Sequence, residues 1–209
     1  MKTSAAVTQH NILKTRKGSG RYLRTGAIAT VLSLATPAVA FAHPGHDHHS
    51  FSAGLTHPIT GFDHLIMLLA FGLLIGCLSL NKAKTAGLLG AGILSLLVGL
   101  FAGQALGYAA FVEPMIIASL FVVSVCLWQV FNPSAKKVTA ALSVSVGLLF
   151  FHGYAHGVEA ASSLSQFALG MTATAATLVL CGSVVGRWIS SKWLSVGIAS
   201  ASALLMIAA

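Results

Sequence analysis

Acidic side chains are almost missing from this chain: Asp47, Asp63, Glu113 and Glu159 are the only four in 209 residues. Together with twelve lysines and arginines they make 8% of the sequence charged, against roughly 25% in a soluble domain. So few charges do not cover a water-facing surface. The three cysteines, Cys77, Cys126 and Cys181, stand singly with no C-x-x-C pair. They read as small apolar packing residues rather than thiolate ligands. No G-x-x-x-x-G-K-[ST] loop is present, so there is no sign of an ATP motor. Neither a basic stripe for nucleic acid nor a repeat of a solenoid's length occurs.

What remains is apolar. Hydrophobic residues make up 56% of the chain and mean hydropathy is +0.86. Apolar stretches run over about 62–80, 86–110, 112–131, 138–158, 164–186 and 193–209, each near the ~20 residues that span a bilayer. The expected fold is an all-α integral membrane protein, a compact bundle of six transmembrane helices behind a cleaved signal peptide. The basic segment before Gly26, the short run "AIATVLSLA" and the small residues of "AVAFA" have the order of parts of such a peptide. Cleavage before Phe41 and before His43 both fit. This divides the chain into a signal peptide (1–42), a histidine-rich periplasmic tail (43–56) and a six-helix membrane domain (57–209).

Six basic residues follow the signal: Lys82, Lys84, Lys136, Lys137, Arg187 and Lys192. They fall in three short breaks, "NKAK", "NPSAKK" and "GRWISSK", which six helices starting outside place on the cytoplasmic side. All four acids then fall towards the opposite face. Glycines spaced by four, Gly72/Gly76, Gly99/Gly103/Gly107, Gly153/Gly157 and Gly182/Gly186, put small residues on single helix faces for close packing in lipid.

Two stretches interrupt the apolar pattern, "HPITGFDHLIM" (57–67) and "FHGYAHGVE" (151–159). His152, His156 and Glu159 are spaced i, i+4, i+7, hence on one helical face. Asp63 and His64 are adjacent, Met67 is a turn along, and His57 precedes Pro58. Ionisable groups at membrane depth are costly, face the bundle interior and mark ion pathways. Imidazole with carboxylate and no thiolate suits a borderline divalent metal such as nickel, cobalt, zinc or copper. Plainer roles exist for several of them. Asp63 fits the capping partner of Thr60, Glu159 an outer loop or salt bridge, and His57 the lining of a helix entrance. Met67 fits the core, and Glu113 either a loop acid or a cation-attracting vestibule.

The two stretches resemble the signatures of the HupE/UreJ family of nickel/cobalt permeases, small bacterial membrane proteins associated with hydrogenase or urease maturation. H-P-x-x-G-x-D-H followed by F-H-G-x-A-H-G-x-E is specific as a pair. The resemblance implies that His57, Asp63, His64, His156 and Glu159 serve transport, with His152 joining them. It implies a multi-pass protein of the bacterial inner membrane carrying Ni2+ or Co2+ as cargo, with no resident cofactor and no catalytic residue. Met67 and Glu113 are accessory candidates. So are His43, His46, His48 and His49 of the tail "HPGHDHHS", a flexible tract able to collect metal. A cut before Phe41 would also place a terminal amine, two amides and His43 in a chelating sequence. An inside-negative potential contributes about 4.6 kcal/mol for a dication per 100 mV, on the order of 10³-fold accumulation, so uptake needs no ATP. The rival reading is an intramembrane zinc hydrolase, with Ser119 or Ser145 near the cluster. H-E-x-x-H is absent, which weighs against it.

Overall fold

The computed structural model describes residues 51–131, 134–159 and 164–208. The signal peptide and the tail histidines His43, His46, His48 and His49 lie outside the described residues, as does the Glu159 side chain. Seven helices and no strand occur among the described residues: α1 (Phe51–Thr60), α2 (Phe62–Cys77), α3 (Lys82–Leu106), α4 (Val112–Gln129), α5 (Ala135–Glu159), α6 (Leu164–Ile189) and α7 (Trp193–Ala208).

Helices α3, α4, α5 and α6 are long and apolar enough to cross a membrane. Their outward faces carry Leu94, Phe101, Val125, Leu180 and Val184, all exposed, which in a soluble protein would be an uncovered greasy surface. The helix expected from residue 62 is α2, but an unexpected helix, α1, precedes it, and the two meet at a 79° bend, a broken span or a re-entrant loop. The expected boundary at residue 56, between tail and membrane domain, falls inside α1. Hydropathy missed α1 because it is short and polar at Ser52, Thr56, His57 and Thr60. The last helix, α7, has 16 described residues, about 24 Å at 1.5 Å per residue, short of the ~30 Å hydrocarbon core.

The glycine faces determine which helices touch. A Cβ at Gly99 or Gly103 of α3 would collide with the carbonyl oxygens of Phe150 or Tyr154 on α5. One at Gly153 or Gly157 of α5 would meet those of Leu96 or Leu100 on α3. The same mutual contact joins Gly72 and Gly76 of α2 to Gly182 and Gly186 of α6, and Gly54 of α1 to Gly170 of α6. Bare backbone on both sides lets each pair approach to a distance that any side chain forbids. Gly107 departs from the expected row: it caps α3 at φ 72°, a conformation glycine adopts without strain, and nothing packs where its Cβ would be.

The described residues of the three basic breaks lie at one end of the bundle. Arg187 at the end of α6 donates to the Leu80 carbonyl (3.0 Å) and to Thr85 Oγ1 (3.2 Å), joining the first break to the third. Lys192 lies 4.9 Å above the Trp128 ring at the end of α4, joining the second. Asp63 and Glu113, in the first turns of α2 and α4, are at the opposite end. The basic end is expected to face the cytoplasm. A cysteine at Ser134 or Ser190, in a background without the native cysteines, should react with an impermeant thiol reagent only after the membrane is opened. Labelling in intact cells would invert the orientation.

Candidate metal centre

The corner between α1 and α2 is built around Gly61, whose backbone is extended (φ −79°, ψ 100°). A Cβ there would sit 3.1 Å from His64 Nδ1 and 3.3 Å from Asp63 Oδ1, so any larger residue crowds that pair. Thr60 does not cap α2. Its hydroxyl donates back to the Thr56 and His57 carbonyls, and the N-cap Gly61 offers no side chain. Asp63 is therefore free of the capping role open to it in the sequence. Its Oδ1 instead accepts from His64 Nδ1 at 2.8 Å. A carboxylate only accepts, so the proton is on Nδ1 and the lone pair on Nε2, a tautomer that follows from the hydrogen-bond network. His64 Nε2 is buried with no hydrogen-bond partner among the described residues.

The second motif arrives from α5. His152 and His156, one turn apart, are 1% and 3% exposed, and His64 is 7% exposed. Ring centroids lie 4.9 Å apart for His64–His152 and 4.3 Å for His64–His156. From α1, His57 reaches the same place, 4.2 Å from His156 and 5.4 Å from His64. Helix α1 is held there by the Gly54/Gly170 contact and by Thr174 Oγ1, which donates to the Leu55 carbonyl at 2.8 Å. Phe167 of α6 backs both His57 (6.1 Å) and His156 (5.8 Å).

Two groups of donors result. His57, His64 and His156 form one, Asp63, His64 and His152 the other, and within each the donor atoms lie within 4.8 Å of one another. His64 belongs to both. Each group has one half-buried member, His57 in the first and Asp63, its side chain 31% exposed, in the second, and two buried ones. Four histidines are thus packed against one another with a single carboxylate at the cluster. That arrangement suits a divalent cation, which draws the imidazole lone pairs together.

The structure brings together five of the residues singled out from sequence: His57, Asp63, His64, His152 and His156. Glu113 does not join them; it is exposed in the first turn of α4. Met67 is fully buried in the apolar core, one turn along α2 from His64. Cys77, Cys126 and Cys181 are free and belong to neither group. Sequence reasoning missed Gly61 as the keeper of the corner and Phe167 as its backing. A glycine inside "HPITGFDH" was the available signal for the first, and nothing local marks the second.

Comparison with known proteins covers most of the chain. A family model described as "HupE / UreJ protein" matches residues 30–209. "Protein HupE" of Rhizobium leguminosarum bv. viciae is 27% identical over 156 residues, covering 73% of this chain and 78% of that one. No solved structure matches the chain.

Proposed function

The chain belongs to the HupE/UreJ family, and from its histidine cluster we propose that it takes up divalent nickel or cobalt across the bacterial inner membrane. One observation carries this reading: two donor triads share His64, one using His156 near the end of α5 and the other His152 one turn deeper along that helix, and each has one half-buried member, His57 or Asp63, beside two buried ones. An ion losing water at the outer triad meets three imidazoles. It then shifts to Asp63, His64 and His152 without releasing His64. Sharing one ligand keeps each step small, so neither position binds too tightly to pass the ion on. The Asp63 charge offsets part of the ion's charge at the second position. Glu159, one turn beyond His156, is proposed to attract the cation at the entrance, and the tail histidines to collect it when it is scarce. The inside-negative potential drives the ion inward, and the family association makes hydrogenase or urease maturation its destination.

The pairing of Ser119 with His152 speaks against the hydrolase reading. Ser119 is fully buried and its proton is committed to the Ile116 carbonyl, whereas a nucleophile needs its proton on the base and access to substrate. Ser145 lies seven residues from His152 along α5, about 10 Å.

Purified protein in liposomes with an inside-negative potential, offered nickel, cobalt, zinc, manganese and magnesium separately, tests the proposal. Nickel or cobalt should accumulate in proportion to the potential, with magnesium excluded for want of an oxygen shell. Absence of flux for every ion, with metal retained and a lipid or peptide hydrolysed, would replace the permease by the enzyme.

A further inference from the structure

Ser119, on α4, belongs to neither motif, yet its side chain is completely buried against the histidine cluster. Its Oγ lies 2.6 Å from the Ile116 carbonyl oxygen and 2.8 Å from His152 Nε2. A hydroxyl has one proton and a carbonyl has none, so at 2.6 Å the serine proton must lie on the line to Ile116. The contact with His152 therefore needs a proton from the ring. His152 is an Nε2–H imidazole whose Nδ1 carries the lone pair. That nitrogen is buried, and no hydrogen-bond partner for it exists among the described residues.

We propose that Ser119 is a positioning residue for the cation site: by accepting from Nε2–H it holds His152 in the tautomer that presents Nδ1 to a divalent metal ion. The inference rests on the metal-uptake reading of the same cluster. It makes the treatment of the two sealed histidines parallel. Asp63 takes the Nδ1 proton of His64 and leaves Nε2 as donor; Ser119 takes the Nε2 proton of His152 and leaves Nδ1. Opposite ring nitrogens are left as donors because the partners differ: Asp63 is the chain neighbour of His64 and meets its Nδ1, whereas Ser119 comes from α4, packed against α5, and meets Nε2 of His152. A neutral hydroxyl suits the inner position, because it orients the ring without adding a second carboxylate that would hold the ion in place. Fixing ring and tautomer in advance removes a reorganisation that each passing ion would otherwise require.

Full-length protein in nanodiscs allows the test. In metal-free protein with 15N-labelled histidine, His152 should give the signals of a single Nε2–H tautomer, assigned by their loss in His152→Gln. Ser119→Ala, which removes one oxygen and leaves the helix its methyl, should give a mixture of tautomers. It should also weaken Ni2+ binding about 10–100-fold while the protein remains folded in the membrane. Ser119→Thr, which keeps the oxygen, should restore both. If Ser119→Ala retains the single tautomer and wild-type Ni2+ affinity while His64→Ala loses binding, the positioning role is wrong and the metal site stands. If His64→Ala binds Ni2+ as tightly as wild type, the metal reading falls and this inference with it.

Discussion

Uptake by a His64→Ala variant is expected to fall to background, with Ni2+ affinity lowered about 100-fold or more, at or beyond the upper end of what losing an outer-shell partner costs. The reason is arithmetic as much as chemistry. Each donor group has three members, and His64 is the one they share, so its removal leaves two ligands in both positions at once. It also strands Asp63, whose Oδ1 accepts the His64 Nδ1 proton. His57→Ala should be milder, raising the concentration needed for half-maximal uptake while leaving the inner triad complete. His156→Ala, which likewise spares the inner triad, should resemble His57→Ala, and His64→Ala with His156→Ala should add little to His64→Ala alone, because ligands of one ion act as a unit. Metal uptake normalised to membrane abundance for each variant decides the matter. Wild-type uptake by the stably expressed double variant would mean that the ion passes elsewhere.

How much of this was legible in the sequence follows from which interactions are local. His152 and His156 announce a shared face because their spacing matches one helical turn, and the same periodicity exposed the glycine rows of α3 and α5. The Asp63–His64 pair is adjacent in the chain and needs no tertiary information. The bend at Gly61 was not legible. "FSAGLTHPIT" is short and weakly apolar, and Pro58 before Gly61 reads as the entrance to a helix rather than as the last turn of one. His57 consequently came to the cluster from an unexpected element, seated on α6. Thr60 and Asp63 satisfied a capping pattern three residues apart, yet the bend gave the N-cap position to Gly61 and turned Asp63 onto His64. Ser119 was visible only as a serine within reach. Serines in membrane helices commonly bond their own backbone, as this one does with Ile116, and its second contact exists only because α4 packs on α5.

The geometry of the cluster depends on backbone contacts far less conspicuous than the histidines, and Gly153→Ala is expected to expose this. Gly153 follows His152 directly, and its added Cβ would collide with the Leu96 carbonyl oxygen and lie 2.8 Å from the Leu96 carbonyl carbon and 3.0 Å from its Cα. All three are backbone atoms of α3, so no side chain can rotate away; the helices must separate. Overpacking of this kind costs about 1–3 kcal/mol. The displacement is transmitted to His152 and His156, which share α5 with Gly153, while His64 stays with α2, pinned to α6 through Gly72 and Gly182. The donor atoms of each triad are contributed across that division, so uptake per folded molecule should drop at least about tenfold, as for loss of a supporting partner. Gly147→Ala supplies the comparison on the same helix. Nothing lies within 4 Å of where its Cβ would be, and replacing glycine by alanine in a helix favours the fold by roughly 1 kcal/mol. Thermal stability and normalised Ni2+ uptake should therefore separate the two variants, Gly153→Ala low in both and Gly147→Ala at or above wild type. Equal behaviour of the pair would mean that the α3–α5 contact does not set the positions of the histidines.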